Sequence, residues 1–340
     1  MNWDKDIDLS KLKFTSRLIV ERVLARGWRI ANFKSNPAIF LLYVPGREKP
    51  VKLFSASPSQ MSYPASKIAK DKYITNQILA IEGLPVPKEL LIDANSDNIV
   101  SEAEQFLAEN HQIVVKPLDA SHGKGITVNI TSDQALTVAL SEVRKVGTNS
   151  KILLQEQIRG VDIRIVCIGY EFINAISRIP ASVAGDGKHT IRQLIEIINS
   201  RDDRGINYAT KYNIIPVDKA EEYLGKDEMN SVIPAEENVQ VIGVSNVGMG
   251  GTRHNIKSDI PEFLKKIAVQ CAKELELPVC GVDFMVRRLP KNTDTFDDLS
   301  PCVIEINECP MLTMYDDLHS TEQNAIIDKY LDFAAMPLQN

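Results

Sequence analysis

Residues 113–130 constrain this chain most, because two β-branched runs flank a loop with two glycines one residue apart. The runs occupy residues 113–117 and 126–130, and this pattern predicts a β-hairpin with a mobile tip. Glycines let backbone N–H groups turn toward a ligand, and Lys116 and Lys124 add positive charge. The stretch therefore predicts a polyphosphate cradle. An ordinary hairpin with a solvated lysine is the alternative interpretation.

The size and charge of the chain bound its class. Its 340 residues suffice for a large core divided into two or three lobes. A net charge of −6 gives no basis for electrostatic capture of nucleic acid or an anionic membrane. No apolar run approaches the roughly 20 residues that span a bilayer, and the first residues do not resemble a signal peptide. Five cysteines without a C-x-x-C pair indicate reduced, buried thiols, so we expect a cytoplasmic enzyme or binding protein.

The spacing of apolar residues predicts helices and strands along the whole chain. Helices are expected at residues 16–25, 66–80, 102–109, 133–145, 190–199 and 261–275, the last being the final long helix. Strands are expected at residues 28–33, 39–44, 51–54, 89–92, 151–158, 162–168, 171–179, 280–289 and 301–307. Residues 201–255 are expected to be irregular, and the acidic residues 291–300 to be disordered.

The last two predicted strands contain polar side chains in apolar surroundings. Asp283 stands between apolar residues, and Glu305 and Asn307 are two apart, which places them on one face of a strand. If the strands pair, three oxygen ligands converge, and buried carboxylates are costly unless paired or bound to a metal. Such ligands suit Mg²⁺. The alternative is a surface strand with alternating polar residues. Five histidines and no thiol pair argue against zinc.

Arg164 and Arg178 fall on neighbouring predicted strands. Arginine suits multidentate phosphate contacts, although each of these two could equally form a salt bridge at the rim of a site. Several motifs are absent from the sequence: the G-x-x-x-x-G-K-[ST] P-loop, G-x-G-x-x-G, the kinase H-R-D and D-F-G set, and the G-x-S-x-G elbow. The common nucleotide-binding and hydrolase families are thereby excluded.

Taken together, the motifs of residues 66–317 resemble an ATP-grasp ligase, nearest to the branch of cyanophycin synthetase and the bifunctional glutathione synthetases. Each motif is weak singly, but their order matches that of the family. The matching segments are residues 71–72, 83–87, 115–117, 121–126, 160–164, 178–180, 185–190, 246, 250–252, 281–283, 305–307 and 310.

The resemblance implies an α/β fold with α+β lobes, the ATP-grasp fold. It would comprise an N-terminal α/β pre-ATP-grasp lobe (residues 1–64), a central ATP-binding subdomain with the glycine-loop hairpin (residues 65–154), and a C-terminal antiparallel-sheet subdomain with the metal and substrate site (residues 155–340).

The resemblance also implies roles for individual residues. Contacts to ATP would come from Lys72, Lys116, Ser121, His122, Gly123, Lys124, Gly125, Gln155, Glu156, Gln157, Ile158 and Asp162, with the 155–158 strand beside adenine and Asp162 near the ribose. Two Mg²⁺ ions, replaceable by Mn²⁺, would bind Asp283, Glu305 and Asn307. Arg164, Arg178 and Asn246 would contact the γ-phosphate or acyl phosphate, and Gly250, Gly251 and Thr252 would lie near the substrate.

Some positions depart from the family pattern. Gln155 stands where the family usually has a glutamate that accepts from adenine N6, so the selectivity for the base is open. Met311 follows Pro310 where many relatives have glycine. Cyanophycin synthetases carry an extra N-terminal region and a second ligase domain, which this sequence does not contain. Polymerisation of cyanophycin by this chain alone is therefore not expected.

The implied activity is ATP-dependent joining of a carboxylate to an amine through an acyl phosphate. The substrates would be an amino acid or short peptide, with no nucleic-acid or membrane partner, in a homo-oligomer. Arg201, Arg204, Lys211 and Arg253 are a candidate site for an acidic substrate, and solvated surface charges are the alternative. Two other functions stay open: a phosphotransferase that stops at a phosphorylated product, and a nucleotide-binding partner protein without turnover.

Overall fold

Three antiparallel sheets organise the fold of residues 1–118, 125–146, 150–206, 210–315 and 320–337, which the computed structural model describes. The first sheet lies near the N-terminus, the second in the middle of the chain and the third in its C-terminal half. Among these residues, no helix has the length and apolar character needed to cross a membrane.

The N-terminal sheet has five strands, hydrogen-bonded in chain order. They are β1 (Asn2–Trp3), β2 (Arg29–Phe33), β3 (Asn36–Tyr43), β4 (Val51–Phe54) and β5 (Ser57–Pro58), with helix α1 (Phe14–Ala25) between β1 and β2. Leu18, Ile19 and Val23 of α1 recur at helical spacing and are fully buried in one core with the sheet. The helix and the three longer strands confirm the elements predicted here.

The single helix predicted for residues 66–80 is wrong, because two helices occupy this segment. They are α2 (Tyr63–Lys70) and α3 (Lys72–Ile81), separated by Asp71. Asp71 has extended backbone angles (φ −97°, ψ 101°), and its carboxylate accepts from the Ile74 N–H over 3.0 Å. Aspartate stabilises a helix start by such capping, so the chain begins a new helix here instead of continuing the first. This break places Lys72 in the first turn of α3.

The central sheet has the strand order β6-β9-β7-β8 and is covered by two helices. Its elements are β6 (Glu89–Asp93), α4 (Ile99–Asn110), β7 (Ile113–Pro117), β8 (Thr127–Ile130), α5 (Asp133–Val146) and β9 (Lys151–Glu156). Ile113 faces Ile130 and Val115 faces Thr127, which confirms the predicted antiparallel pairing of the two β-branched runs. On α5, Leu136, Leu140 and Val143 are buried, and this apolar face packs against the sheet.

The C-terminal half builds a five-stranded sheet in the order β16-β11-β10-β17-β18. The elements in chain order are β10 (Val161–Ile168), β11 (Glu171–Ile179), β12 (Ser182–Ala184), α6 (Ile191–Asn199), β13 (Arg204–Gly205), β14 (Tyr212–Asn213), α7 (Val217–Leu224), α8 (Lys226–Met229), β15 (Asn238–Gln240), β16 (Thr252–Asn255), α9 (Glu262–Glu274), β17 (Val279–Val286), α10 (Phe296–Leu299), β18 (Cys302–Asn307) and α11 (Thr321–Ala334).

Alternation along β10 gives the two faces of this sheet different roles. Ile163 and Ile165 are fully buried in the core that the sheet forms with α9. Asp162 and Arg164 alternate with these isoleucines and project to the opposite face, where Arg164 contacts Asp283 of β17. The hairpin β10–β11 turns at Gly169 and Tyr170, as predicted.

Two segments of the C-terminal half are more ordered than predicted. Residues 201–255 contain α7, α8 and four short strands, and the core around Ile191 and Ile242 joins them to α6. The segment 291–300 is not disordered, since Thr295 and Asp298 form a capping box at the start of α10. The polar composition of both segments favoured loops, although local caps and a small apolar core are enough to order them.

A further helix, α11, follows the one predicted to be the last, which makes that prediction wrong. Ile327, Tyr330 and Leu331 of α11 are fully buried in the core that α1 and the N-terminal sheet also form. Arg22 and Arg26 of α1 reinforce this packing: their guanidinium groups donate to Asp328 over 2.5 and 2.9 Å. The N-terminal sheet thus shares one core with a helix from the other end of the described chain.

All five cysteines are free thiols. Cys167, Cys271, Cys280 and Cys302 are buried, as predicted, whereas Cys309 is exposed beside Pro310. Burial raises the pKa of Cys271, and a hydrogen bond with Cys167 together with burial raises that of Cys280, so these thiols are held in the neutral form. The buried cysteines therefore act as small apolar core residues.

Candidate active site

Two lysines from different elements lie near one another. Lys116 on β7 is 6% exposed, and its Nζ donates to Gln155 Oε1 over 3.1 Å. Lys72 Nζ lies 3.5 Å from Glu305 Oε1 of β18. Burial lowers the pKa of Lys116 to about 8; the Glu89 and Glu305 carboxylates oppose this shift, and the Lys72 ammonium adds to it. The lysine strand of the central sheet therefore lies beside the carboxylates of the C-terminal sheet.

The three predicted metal ligands are neighbours on paired strands. Asp283 of β17 faces Glu305 of β18, and Gly281 faces Asn307, so all three side chains share one face of the sheet. Asn307 Nδ2 donates to Asp283 Oδ2 over 3.3 Å. Asp283 is buried, whereas the Glu305 side chain is 38% exposed. The sequence pattern thus correctly anticipated that these residues meet.

Two arginines hold the buried Asp283. Arg164 donates from Nε and Nη2 to its two carboxylate oxygens, each over 2.5 Å. Arg178 Nη2 donates to Asp283 Oδ2 over 3.0 Å and to Asp162 Oδ1 over 2.6 Å. Two cations and two carboxylates therefore form one buried network. Asp162 belongs to this network, and its position near the ribose stays a prediction.

The network shifts the pKa values of its two carboxyl groups in opposite directions. Burial opposes ionisation of Asp283, but Arg164 and Arg178 outweigh it and hold the pKa of Asp283 below its usual value. Burial raises the pKa of Asp162 to about 6, and the nearby Asp283 charge adds to the shift against the opposing Arg178. Asp283 is thus the stably ionised member of the pair at neutral pH.

The predicted metal ligands are partly engaged in hydrogen bonds within the protein. Both oxygens of Asp283 already accept from arginines. Within the part of the chain that the structure describes, no group of three His, Cys, Asp or Glu residues is arranged to hold a metal ion. Glu305 and the amide oxygen of Asn307 complete an all-oxygen donor set with Asp283, and this chemistry fits Mg²⁺ rather than a softer metal.

Several polar groups of the strand predicted to lie beside adenine form hydrogen bonds within the protein. Gln155 is 4% exposed, and its side chain lies between Lys116 and Glu89. The N–H of Glu156 donates to Lys88 O over 2.9 Å, and that of Gln157 donates to Gln112 O over 3.0 Å. Those two amides are therefore not available to a base in this conformation. Ile158 follows the end of β9, and its contact with adenine stays a prediction.

Most of the glycine loop lies outside the described residues. Ser121, His122, Gly123 and Lys124 belong to that part, and their predicted contacts with phosphate stay predictions. Gly125 is described and has φ +70°, and a Cβ there would approach Val146 Cβ to 3.2 Å. Its backbone conformation and its close packing both favour glycine.

Asn246, predicted to contact the γ-phosphate or acyl phosphate, and the residues predicted near the substrate have local structural roles. Asn246 Oδ1 accepts from the Gly248 N–H over 2.8 Å and so caps a short 3₁₀ turn. Thr252 faces Ile179 across β16 and β11. A Cβ on Gly251 would lie 2.7 Å from Ile179 O. These contacts account for the residues without a ligand, and roles in substrate binding or catalysis stay predictions.

Replacing Gly250 with alanine distinguishes a role in local packing from a role in substrate binding. Gly250 has φ +82°, and a Cβ there would lie 2.8 Å from Ile215 Cα. We expect Gly250→Ala to lower the free energy of unfolding by about 1–3 kcal/mol through strain and overpacking. Urea unfolding measures this. Gly225→Ala is the matched control, since Gly225 also has positive φ (+87°) but a Cβ there would have no atom within 4 Å. Unchanged stability with lost turnover would contradict the packing explanation.

The sequence interpretation missed two polar residues at this site. Glu89, the first residue of β6, accepts from Gln155 Nε2, and the Asn76 amide of α3 lies nearby and is 3% exposed. Burial raises the pKa of Glu89 to about 7, while Lys116 opposes the shift. A carboxylate at the start of an otherwise apolar strand was the available signal. The link between this carboxylate and the site depends on the pairing of β6 with β9, which places Glu89 opposite Gln155.

Comparison with known proteins agrees with this architecture. Residues 85–193 match the family described as "Prokaryotic glutathione synthetase, ATP-grasp domain". The glutathione biosynthesis bifunctional protein GshAB of Listeria innocua is 28% identical over 343 residues, covering 97% of this chain and 42% of that protein. Cyanophycin synthetase of Crocosphaera subtropica is 30% identical over 259 residues, covering 74% of this chain and 28% of that protein. The chain spans less than half the length of these curated relatives.

The fold has a matching solved structure. The crystal structure of a bifunctional glutathione synthetase from Pasteurella multocida superimposes with a TM-score of 0.66 at 22% identity. The match covers 95% of this chain and 44% of that chain. The predicted α/β ATP-grasp fold is confirmed. Residues 85–193 therefore match an ATP-grasp domain, and the chain as a whole is similar to glutathione synthetase and cyanophycin synthetase proteins.

Proposed function

We propose that this chain is an ATP-dependent carboxylate–amine ligase, which forms an amide or peptide bond through an acyl phosphate and releases ADP and phosphate. The observation that carries the proposal is the convergence of Lys72 and Lys116 with Glu305 at one site. The similarity to glutathione synthetase and cyanophycin synthetase supports the same reaction class.

The charges of the site suit this chemistry. A substrate carboxylate must approach the γ-phosphate of ATP, which brings two anions together. In the proposed site Lys72 and Lys116 hold the phosphates, and Arg164 and Arg178 stabilise the charge that develops during phosphoryl transfer. Fixed cations act here by electrostatic preorganisation. Alignment of the reacting groups can remove about 7–11 kcal/mol of the barrier.

The oxygen donors of Asp283, Glu305 and Asn307 would hold Mg²⁺. The bound metal would neutralise phosphate charge and polarise the phosphoryl oxygens. Glu305 is its accessible ligand, because Asp283 is buried and already accepts hydrogen bonds from Arg164 and Arg178. Two ions, and replacement by Mn²⁺, are part of the proposal.

The proposed reaction, carboxylate–amine ligation, requires one substrate with a carboxylate and one with an amine. We propose an amino acid or short peptide as the carboxylate and a small amine as the acceptor. The division into lobes at residues 64/65 and 154/155, a cytoplasmic location and a homo-oligomer also stay predictions.

An ADP-release screen tests the function. The full chain is incubated with Mg-ATP and pairs drawn from amino acids and short peptides, and products are identified by mass spectrometry. A ligase releases ADP with a product whose mass equals the two substrates minus water. ADP release without any amine, accompanied by a phosphorylated product, would instead identify a phosphotransferase. ATP binding without turnover for any pair would contradict the ligase proposal.

Glu305→Gln tests the metal site. Removing one carboxylate from an oxygen-donor site weakens metal binding, so we expect the Mg²⁺ concentration for half-maximal ATP turnover to rise about tenfold or more. Mg²⁺ titration at saturating ATP measures this. The matched control, Glu274→Gln, changes an exposed glutamate of α9 and should leave the midpoint unchanged. An unchanged midpoint in Glu305→Gln would exclude Glu305 as a metal ligand.

A further inference from the structure

A hydrogen-bonded relay crosses one face of the central sheet from Lys116 through Gln155 to Glu89. Lys116 Nζ donates to Gln155 Oε1 over 3.1 Å, and Gln155 Nε2 donates to Glu89 Oε1 over 2.5 Å. Glu89 and Gln155 face each other on β6 and β9, and Lys116 faces Leu153, two residues before Gln155. Because facing residues project to the same side of a sheet, the strand register itself builds this relay.

The relay is buried, and not all polar atoms in and beside it are well hydrogen-bonded. Lys116, Gln155 and the neighbouring Asn76 are almost completely buried, with exposures of 6%, 4% and 3%. Among the residues that the structure describes, Glu89 Oε2 and Asn76 Nδ2 make no hydrogen bond of good geometry, although the Asn76 amide lies close enough to Glu89 to lower its pKa. Unsatisfied buried polar atoms are uncommon in folded proteins and costly. A carboxyl group kept under such conditions beside Lys116 points to a functional role.

We propose that Glu89 is a positioning residue for nucleotide binding, an inference that rests on the proposed function. Through Gln155, its carboxyl group holds the Lys116 ammonium in place, and its charge sets the net charge that this ammonium presents to the phosphates of ATP. Gln155 transmits geometry only, because its amide does not titrate. Glu89 therefore couples the affinity for nucleotide to a proton at the site.

The direction of this coupling follows from the surrounding charges. Burial raises the pKa of Glu89 to about 7 against the opposing Lys116. Asp71, between α2 and α3, raises it further, and Cys302 at the start of β18 also faces Glu89. Phosphate anions favour the neutral carboxyl group, so ATP binding takes up a proton there. As pH rises through about 7, Glu89 ionises in the free protein and the affinity for ATP falls.

Calorimetry of the full chain tests this inference with Mg²⁺ and the non-hydrolysable analogue AMP-PNP at pH 7.5. Titration in two buffers with different ionisation enthalpies gives the number of protons taken up on binding. Glu89→Gln keeps an acceptor for Gln155 Nε2 but cannot titrate. We expect the wild-type protein to take up more protons than this variant; Lys116, whose pKa is about 8, contributes proton uptake in both proteins and makes the difference smaller than one proton. Glu102→Gln, at an exposed position of α4 in the same part of the fold, is the matched control and should behave like wild type.

Glu89→Asp separates position from charge. Aspartate titrates but is one methylene shorter, so it should retain proton uptake while losing the contact with Gln155 and binding AMP-PNP about fivefold more weakly. Equal proton uptake in wild type and Glu89→Gln would overturn the inference, and so would wild-type affinity in Glu89→Asp if Glu89→Gln does not fold. Failure of the wild-type chain to bind AMP-PNP at all would overturn the proposed function as well.

Discussion

Lys116→Met should lower kcat/KM for ATP by about 100- to 1,000-fold, the usual cost of removing one preorganised charged donor from an active site. Methionine has a similar length and fills the same buried space, so the packing of β7 is retained. The lost ammonium leaves the Gln155 Oε1 acceptor unpaired and one phosphate-facing charge missing. Steady-state kinetics with ATP as the varied substrate measures the effect.

The free energy of unfolding of Lys116→Met should differ from that of the wild-type protein by no more than about 1–3 kcal/mol, because loss of the costly buried ammonium offsets the cost of the Gln155 acceptor that it leaves unpaired. Lys145→Met is the matched control: Lys145 lies on exposed α5 surface, where it pairs with Glu142. Its kinetics should match those of the wild-type protein. Normal ATP turnover by Lys116→Met would remove Lys116 from the nucleotide site.

Asp283→Asn should lower the free energy of unfolding by about 3–5 kcal/mol at pH 7, as expected when a buried ion pair loses one partner. The Asp283 side chain is 5% exposed, and those of Arg164 and Arg178 are 11% and 13% exposed. Without the carboxylate, Arg164 loses its two hydrogen bonds to Asp283, and Arg178 keeps its contact with Asp162. Urea unfolding at several pH values measures the loss.

The stability loss in Asp283→Asn should depend on pH in a definite direction. The folded-state pKa of Asp283 lies below its unfolded value, so its ionised form stabilises the fold. The difference between wild type and Asp283→Asn should be complete above the unfolded pKa of about 4 and vanish as pH falls through the lower folded value. Glu142→Gln, which breaks an exposed pair with Lys145, should cost under about 1 kcal/mol and serves as the control. A similarly small loss in Asp283→Asn would show that the network is not a buried ion pair.

Sequence periodicity sufficed for features that depend on neighbouring residues. The glycine hairpin, the β10–β11 hairpin and the helix α6 with its capping box all follow from local spacing and are present. The meeting of Asp283 with Glu305 was also predictable, because both strands show the alternation of a paired sheet. The family resemblance added the order of these parts.

Long-range partners could not be predicted from the sequence. Arg164 and Asp283 are 119 positions apart, and nothing local to either residue specifies the other. Glu89 and Gln155 are 66 positions apart, so a carboxyl group opposite a predicted adenine-site residue went unnoticed. The break at Asp71 was missed for a different reason: apolar spacing continues across it, and only the capping hydrogen bond shows that a new helix begins.

The shared core of α1, α11 and the N-terminal sheet has a consequence for biosynthesis. Arg22 and its partner Asp328 are 306 residues apart, so this core stays incomplete until nearly all of the described chain has been made. At ordinary translation speeds the interval would be on the order of 15–60 s. During that time Leu18, Ile19 and Val23 lack the apolar cover that α11 later supplies. Nascent chains should therefore expose this apolar face of α1 until α11 has been synthesised.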